Sequence, residues 1–355
     1  MCDVAGIEAL WVRDHLAAPD GQPRLEAWTS VTLAALCTAR VRVGAMLDIG
    51  FRPPTTLAAM AGTLDAASGG RLELGLSAGW SEREHLEFGF DFPDPETMVR
   101  RLERYAGIVH RLLAGEAVAV TGPVESGEAE LGVASPQTGG PVLSIEALTP
   151  SQMEVAARVA DDVMMPAAAV RDIRAAVGAI ADACDRVGRD PGTLGIALEV
   201  PVSIGRTHAE AQARADAEPL FRTFGPPSEV GVFGTLEECQ ERVIQLAHAG
   251  VTDLRCVLPN SPDVHDVIAQ LTAMVMGSVD VLMPNAPRSR APDPPKTWGG
   301  RPIRPGVQEG NSNERIEAQR TPWLEGEGKV SPEDIQAEEV TMEKAESRSE
   351  EGEGS

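Results

Sequence analysis

The sequence predicts a parallel α/β barrel of the (β/α)8 type, on three observations. Short β-branched or apolar runs alternate with longer stretches of helical period, which is how a parallel sheet with crossover helices reads. The chain has 355 residues, 43% of them hydrophobic, and a single barrel of this kind needs roughly 250. No Gly-rich G-x-G-x-x-G turn follows the first run, as a doubly wound open sheet would require.

Taken in order, the predicted strands are residues 9–15, 41–49, 71–79, 142–148, 162–166, 194–204 and 253–258. Seven strands are one short of a closed barrel, so the first strand is expected to be lacking. The predicted helices are residues 54–67, 98–113, 150–160, 170–187, 236–249 and 263–276. Thr149-Pro150-Ser151-Gln152 starts the third with a capping Thr, a Pro in the first turn and a Gln at the capping-box position. Gly250 supplies the left-handed stop after residues 236–249.

Composition changes near residue 282. Residues 1–281 contain no lysine, and all three lysines (Lys296, Lys329, Lys344) follow. That last segment opens with five prolines between Pro284 and Pro295 and closes on a Glu- and Ser-rich run from Glu338. Such a stretch buries too little surface to offset its ordering entropy, so residues 282–355 are expected to be a disordered Pro-rich, then acidic, tail behind a barrel domain of residues 1–281.

The formal charge is −23, and the body alone carries 21 basic against 39 acidic residues. Nucleic acid and anionic membrane both attract basic surfaces, so neither is an expected partner. No apolar run reaches the roughly 20 residues of a membrane span, and no signal-peptide pattern opens the chain; a cytoplasmic location is expected. The five cysteines, Cys2, Cys37, Cys184, Cys239 and Cys256, form no C-x-x-C pair, and no histidine has metal-ligand spacing. No metal is expected.

In a parallel barrel the functional side chains sit at the C-terminal ends of strands. The first strand ends in Asp14-His15, where an imidazole titrating near neutrality can exchange a proton; the alternative is that the two side chains only bond to each other or cap a loop. The third ends in Ser77-Ala78-Gly79-Trp80, where small residues admit a flat ligand against the backbone, or where glycine simply serves a tight turn. The helix start at Thr149 offers N–H groups and a positive dipole end to a phosphate, as every helix start does. Arg52, ahead of Pro53-Pro54, could neutralise an anion or be an ordinary surface arginine. A G-x-S-x-G elbow is absent, which leaves hydrolase chemistry without support.

In order and spacing, Ala9-Leu10-Trp11-Val12-Arg13-Asp14-His15, Arg52-Pro53-Pro54, Thr63-Leu64-Asp65 with Ser68-Gly69-Gly70-Arg71-Leu72-Glu73-Leu74-Gly75, and Ala78-Gly79-Trp80 resemble the luciferase-like monooxygenase family. Glu146-Ala147-Leu148-Thr149-Pro150 and Phe233-Gly234-Thr235-Leu236-Glu237-Glu238 continue the likeness, which spans roughly residues 3–277. The resemblance implies a barrel binding coenzyme F420, a deazaflavin, or FMN at its C-terminal face, and the motifs are more similar to the deazaflavin branch. It implies hydride transfer to or from a small organic substrate, with His15 as the catalytic proton donor or acceptor. Asp14, Leu47, Asp48, Ser77, Ala78, Gly79, Trp80 and Leu148 would contact the cofactor, with Thr149, Pro150 and Ser151 at its phosphate. The stretch from Met46 to Gly50 would form a bulged strand end behind the ring, where the family often has a non-proline cis peptide.

Three departures accompany the likeness. Thr149 stands where the family usually has Gly, and Trp80 where its sugar-phosphate dehydrogenases carry an acid, which argues against that substrate class. Family members also begin with a strand and most of a helix before the equivalent of Gly6. The alternatives are an FMN-dependent monooxygenase, which would need a flavin reductase as partner and would consume oxygen, and a non-catalytic, cofactor-binding or incomplete barrel. Unpaired edges on the first and last strands would favour a homo-oligomer.

Overall fold

The apolar runs become a parallel sheet curled into a barrel-like shape in the computed structural model, which describes residues 7–17, 24–121, 126–133, 135–221, 225–258, 264–282, 297–298 and 301–302. Apart from Leu282 and those last four residues, the expected tail lies outside the described residues. The main-sheet strands are β1 (Ala9–Arg13), β2 (Arg42–Asp48), β3 (Leu72–Ser77), β6 (Val142–Glu146), β7 (Asp162–Pro166), β8 (Gly195–Ile204), β9 (Val232–Gly234) and β10 (Asp253–Val257). Their order is β1-β2-β3-β6-β7-β8-β10, with β9 paired to the end of β8, and every pairing is parallel. All strand ends of one sense therefore face the same way, which puts the residues after β1, β2, β3 and β6 on one rim.

Strand periodicity sorts the side chains into two populations. Val43, Ala45 and Leu47 of β2, Leu72, Leu74 and Leu76 of β3, and Leu143 and Ile145 of β6 point outward into one continuous core beneath the helices. That core is closed by α1 (Ala27–Cys37), α2 (Pro54–Ser68), α4 (Pro95–Leu113), α5 (Pro150–Val159), α6 (Ile173–Val187) and the helix Leu236–His248. The alternate residues point inward. Met46, Met164 and Ala197 pack there with Trp11 as a small apolar layer. Trp11 fits because Gly44 lies opposite it: a Cβ on Gly44 would stand 2.5 Å from the indole ring.

Among the described residues, β1 and β10 have no strand on their outer edges, and both are largely half-buried. Side chains join these two ends of the sheet. The Arg255 guanidinium of β10 lies 3.7 Å from the centroid of the Trp11 ring of β1, a cation–π contact. The same guanidinium donates to both oxygens of Asp162 (3.1 and 3.2 Å), which also accepts from Ser144. Burial pushes the Asp162 carboxyl up to about 6, against the pull of Arg255.

Several boundaries differ from the sequence expectation. α1, β9, the short helix α3 (Glu82–Glu87) and the antiparallel hairpin β4 (Val118–Thr121) with β5 (Ser126–Ala129) were not expected, and a further helix, α7 (His208–Ala217), follows β8. The α4 helix starts at Pro95 because Asp94 caps it, its side chain accepting from Thr97 N–H. The last long helix runs Val264–Leu282. No bulge interrupts β2: its register with β3 holds to Asp48↔Ser77, Ile49 N–H still donates to Ser77 O at 3.0 Å, and no cis peptide occurs among the described residues. The continued ladder keeps the strand end regular.

Candidate functional site

Inward parity places three acids or hydroxyls and one arginine just inside the rim. Arg13 of β1 donates through Nε to both oxygens of Glu199 (2.8 and 3.0 Å) and through a terminal nitrogen to Glu146 (2.5 Å). Ser77 Oγ donates to the other Glu146 oxygen at 2.5 Å. Burial works against the Arg13 charge, but Glu146 and Glu199 more than offset it and hold the guanidinium protonated. The floor of the mouth is thus one cation bridging two carboxylates, anchored on β1, β6 and β8.

One step further along β1, Asp14 accepts from Arg52 (2.5 Å) and from Asp48 N–H (3.2 Å), and Arg52 also pairs with Glu26 at 3.2 Å. Asp14 and Arg52 are therefore committed to tying the loops after β1 and β2 together. His15 is 7% exposed, with Nδ1 3.4 Å from Glu84 Oε2. A carboxylate only accepts, so Nδ1 carries the proton and Nε2 is left as the basic nitrogen. Burial lowers the His15 pKa below the ordinary value, with Glu84 opposing the shift. The His15 and Trp80 rings stand in a T-shaped contact, centroids 5.6 Å apart.

Glu84 is not singled out by the sequence. Ser81-x-x-Glu84 has the spacing of a capping box, and Ser81 Oγ does accept from Glu84 N–H at 3.3 Å. The Glu84 carboxylate turns away instead and accepts from Leu16 N–H (2.5 Å) and Ala17 N–H (2.8 Å), fixing the loop behind His15. Its neighbour His85 donates from Nδ1 to Ser81 O at 3.0 Å and presents Nε2 to Asp48 Oδ1 at 3.4 Å. Burial raises the Asp48 carboxyl to about 6. The two buried residues of α3 therefore pin it to two strand ends, Glu84 to β1 and His85 to β2.

Gly79 has φ +95°, a left-handed backbone that favours glycine, and a Cβ there would stand 2.9 Å from Asp48 Oδ2. Leu47 points into the outer core and is fully buried, so only its backbone reaches the rim. Ala78 points outward as well, while Asp48 and Ser77 face inward. Trp80 and Leu148, which follow the adjacent strands β3 and β6, are each 46% exposed. Large apolar side chains standing open above a polar floor suit a flat ring that would cover them.

Thr149, Pro150 and Ser151 are exposed at the start of α5 on the same rim. The expected capping box is present: Leu148 N–H and Thr149 N–H donate to Gln152 Oε1 (2.8 and 3.0 Å), and Gln152 N–H donates to Thr149 Oγ1 at 3.3 Å. The Ser151 N–H and hydroxyl have no partner among the described residues and are the free donors of this turn. No group of three His, Cys, Asp or Glu side chains able to hold a metal occurs among the described residues, and no helix there is long and apolar enough to cross a membrane.

The 5,10-methylenetetrahydromethanopterin reductase of Methanolobus tindarius is 24% identical over 78% of this chain and 94% of its own length. The 4-hydroxyprotoasukamycin monooxygenase of Streptomyces nodosus subsp. asukaensis is 29% identical over 58% of each chain. Among solved structures, an F420-dependent secondary alcohol dehydrogenase in complex with an F420–acetone adduct superposes with a TM-score of 0.66 at 17% identity, over 77% of this chain and 91% of that one. The family model described as luciferase-like monooxygenase matches residues 1–231. The chain belongs to that family of enzymes, in which both F420-dependent oxidoreductases and monooxygenases are its relatives.

Proposed function

We propose that the protein transfers a hydride between coenzyme F420 and a small organic substrate, with His15 handling the accompanying proton. The observation that carries this is His15 itself: a buried imidazole kept neutral, with Nδ1 fixed by Glu84 and Nε2 without a partner among the described residues, beside the exposed Trp80. The solved F420-dependent secondary alcohol dehydrogenase, matched over 91% of its length, supports the choice of cofactor.

When bound, a deazaflavin supplies a ring carbon that accepts or donates a hydride. The residues of this chain would do the rest. Trp80 and Leu148 would cover the ring, Ser77 and Gly79 would line its edge, and the Ser151 N–H and hydroxyl would meet the phosphate. His15 Nε2 takes a proton as the substrate is oxidised and returns it in the reverse direction. Arg13, held by two carboxylates, keeps the mouth floor polar and rigid.

Titration of the protein with F420 is expected to quench cofactor fluorescence saturably. His15→Ala is expected to retain that binding while turnover falls by about 10²- to 10⁴-fold, the usual contribution of a positioned general acid or base. Loss of binding together with turnover would sink the assignment of His15. The monooxygenase relative supports a second reading, an FMN-dependent monooxygenase supplied by a flavin reductase. Oxygen uptake with reduced FMN and no response to F420 would establish it, and failure to bind either cofactor would favour a non-catalytic barrel.

A further inference from the structure

A cavity of about 530 Å³ lies outside the barrel mouth. Side-chain parity separates the two. Asp48 and Ser77 face the mouth, whereas Ile49 and Ala78, each one residue on, face the helix layer and line this cavity. Its walls come from the first turn of α2 (Pro53, Pro54, Thr55), from one face of α4 and from Val120 of the hairpin. Met98, Arg101, Tyr105 and Ile108 recur at helical spacing along that face. The volume is that of a small-molecule site.

The polar groups around it divide into those already committed and those that are not. At the floor, His85 spends Nδ1 on Ser81 O and Nε2 on Asp48, so it presents ring carbons rather than a nitrogen, and it is wedged between Phe51 and Phe92. Tyr105 donates its hydroxyl to Arg52 O at 3.0 Å. Among the described residues no uncommitted general base faces the cavity, which argues for binding and against a second catalytic centre. Arg101 pairs with Asp91 at 2.7 Å, and Arg104 makes no ion pair or hydrogen bond among the described residues. Two arginines against one aspartate leave this wall locally positive on a chain of formal charge −23.

We propose that this cavity is a second binding site, separate from the redox mouth, for a small apolar monocarboxylic acid. The hydrocarbon body packs between Ile49, Pro54, Met98, Ile108 and Val120, and the carboxylate meets Arg104 and Arg101. This goes beyond the redox reading and does not depend on it.

The test is ¹³C-methyl methionine NMR of the full chain, titrated with octanoate and, separately, 4-phenylbutyrate. A saturable shift of the Met98 methyl by at least one acid is expected, with the Met46 and Met164 methyls, which lie inside the barrel, unmoved. Arg104→Glu is expected to weaken binding about ten-fold, as loss and reversal of a charge-assisted contact should. Thr55→Trp, which fills the cavity from α2, is expected to abolish it, and the unchanged barrel methyls then report that the variant is folded. 1-Octanol is expected to bind at least about ten-fold more weakly than octanoate. A silent Met98, Met46 or Met164 moving in step with it, binding that survives Thr55→Trp with the barrel methyls in place, or octanol binding as tightly as octanoate would each overturn the proposal.

Discussion

The behaviour of His15 turns on two opposed effects of comparable reach. Burial disfavours the imidazolium, and the Glu84 carboxylate 3.4 Å away favours it; burial wins, so the folded pKa lies below the ordinary histidine value. Replacing Glu84 with Gln removes the opposing charge while keeping the loop contacts to Leu16 and Ala17. The His15 ring resonances in a proton NMR titration are then expected to titrate at lower pH still, and an upward move would show that Glu84 does not face the ring. A histidine depressed in the folded state binds fewer protons than in the unfolded chain, so this residue's contribution to stability falls as pH drops below about 6.5. Asp162 works in the opposite sense. Its carboxyl is raised from 3.8 to about 6, so the folded state binds the extra proton between those values, and stability falls as pH rises through that window. The fall is about 2–3 kcal/mol, because each pH unit between the two values is worth roughly 1.4 kcal/mol, and the pH slope of urea unfolding is expected to flatten in Asp162→Asn.

At the scale of the elements, the parts legible in the sequence were those with a strong period or a paired start and stop. All seven predicted strands form, and the Thr149 capping box and the Asp14–His15 strand end stand where their residues suggested. The α1 helix was not legible because its apolar residues do not share a face: Ala27, Val31 and Ala35 are buried, while Leu33 and Leu36 are exposed. β9 has three residues, too few for an alternation to register. The partners in the site were hidden for a different reason. Arg13 meets Glu199 across 186 residues and His15 meets Glu84 across 69, distances at which only the curl of the sheet brings side chains together. A trace did exist, since Glu199 is the single charge in the apolar strand Gly195–Ile204 and so has to face a cation or water. Glycines divide in the same way. Gly44→Ala forces a methyl onto Trp11 and is expected to cost about 1–3 kcal/mol in urea unfolding. Gly178→Ala, exposed within α6 with nothing within 4 Å, is expected to gain about 0.5–1 kcal/mol through helix propensity. A Gly44→Ala variant as stable as the wild type would show that Trp11 is not what Gly44 accommodates.

At the scale of the barrel, the backbone ladder runs from β1 to β10, and among the described residues the union of those two ends falls to side chains inside the barrel. Arg255 lies on Trp11 between the two end strands, and Arg13 of β1 reaches Glu146 and Glu199 on β6 and β8. Of these links Arg13 matters most, because among the described residues it alone neutralises two buried carboxylates. Arg13→Leu leaves both Glu146 and Glu199 without a cation, and breaking a buried pair from one side costs about 3–5 kcal/mol. That loss should carry its own signature. Protonation removes the uncompensated charge, so the gap between variant and wild type in urea unfolding is expected to narrow as pH is lowered toward the carboxylate range. Adding Glu199→Gln to Arg13→Leu should recover part of the loss at neutral pH, because one of the two stranded charges is gone. A gap that stays constant with pH, or a double variant no more stable than Arg13→Leu alone, would mean that the arginine acts through packing, and that the end strands are held together without this charge network.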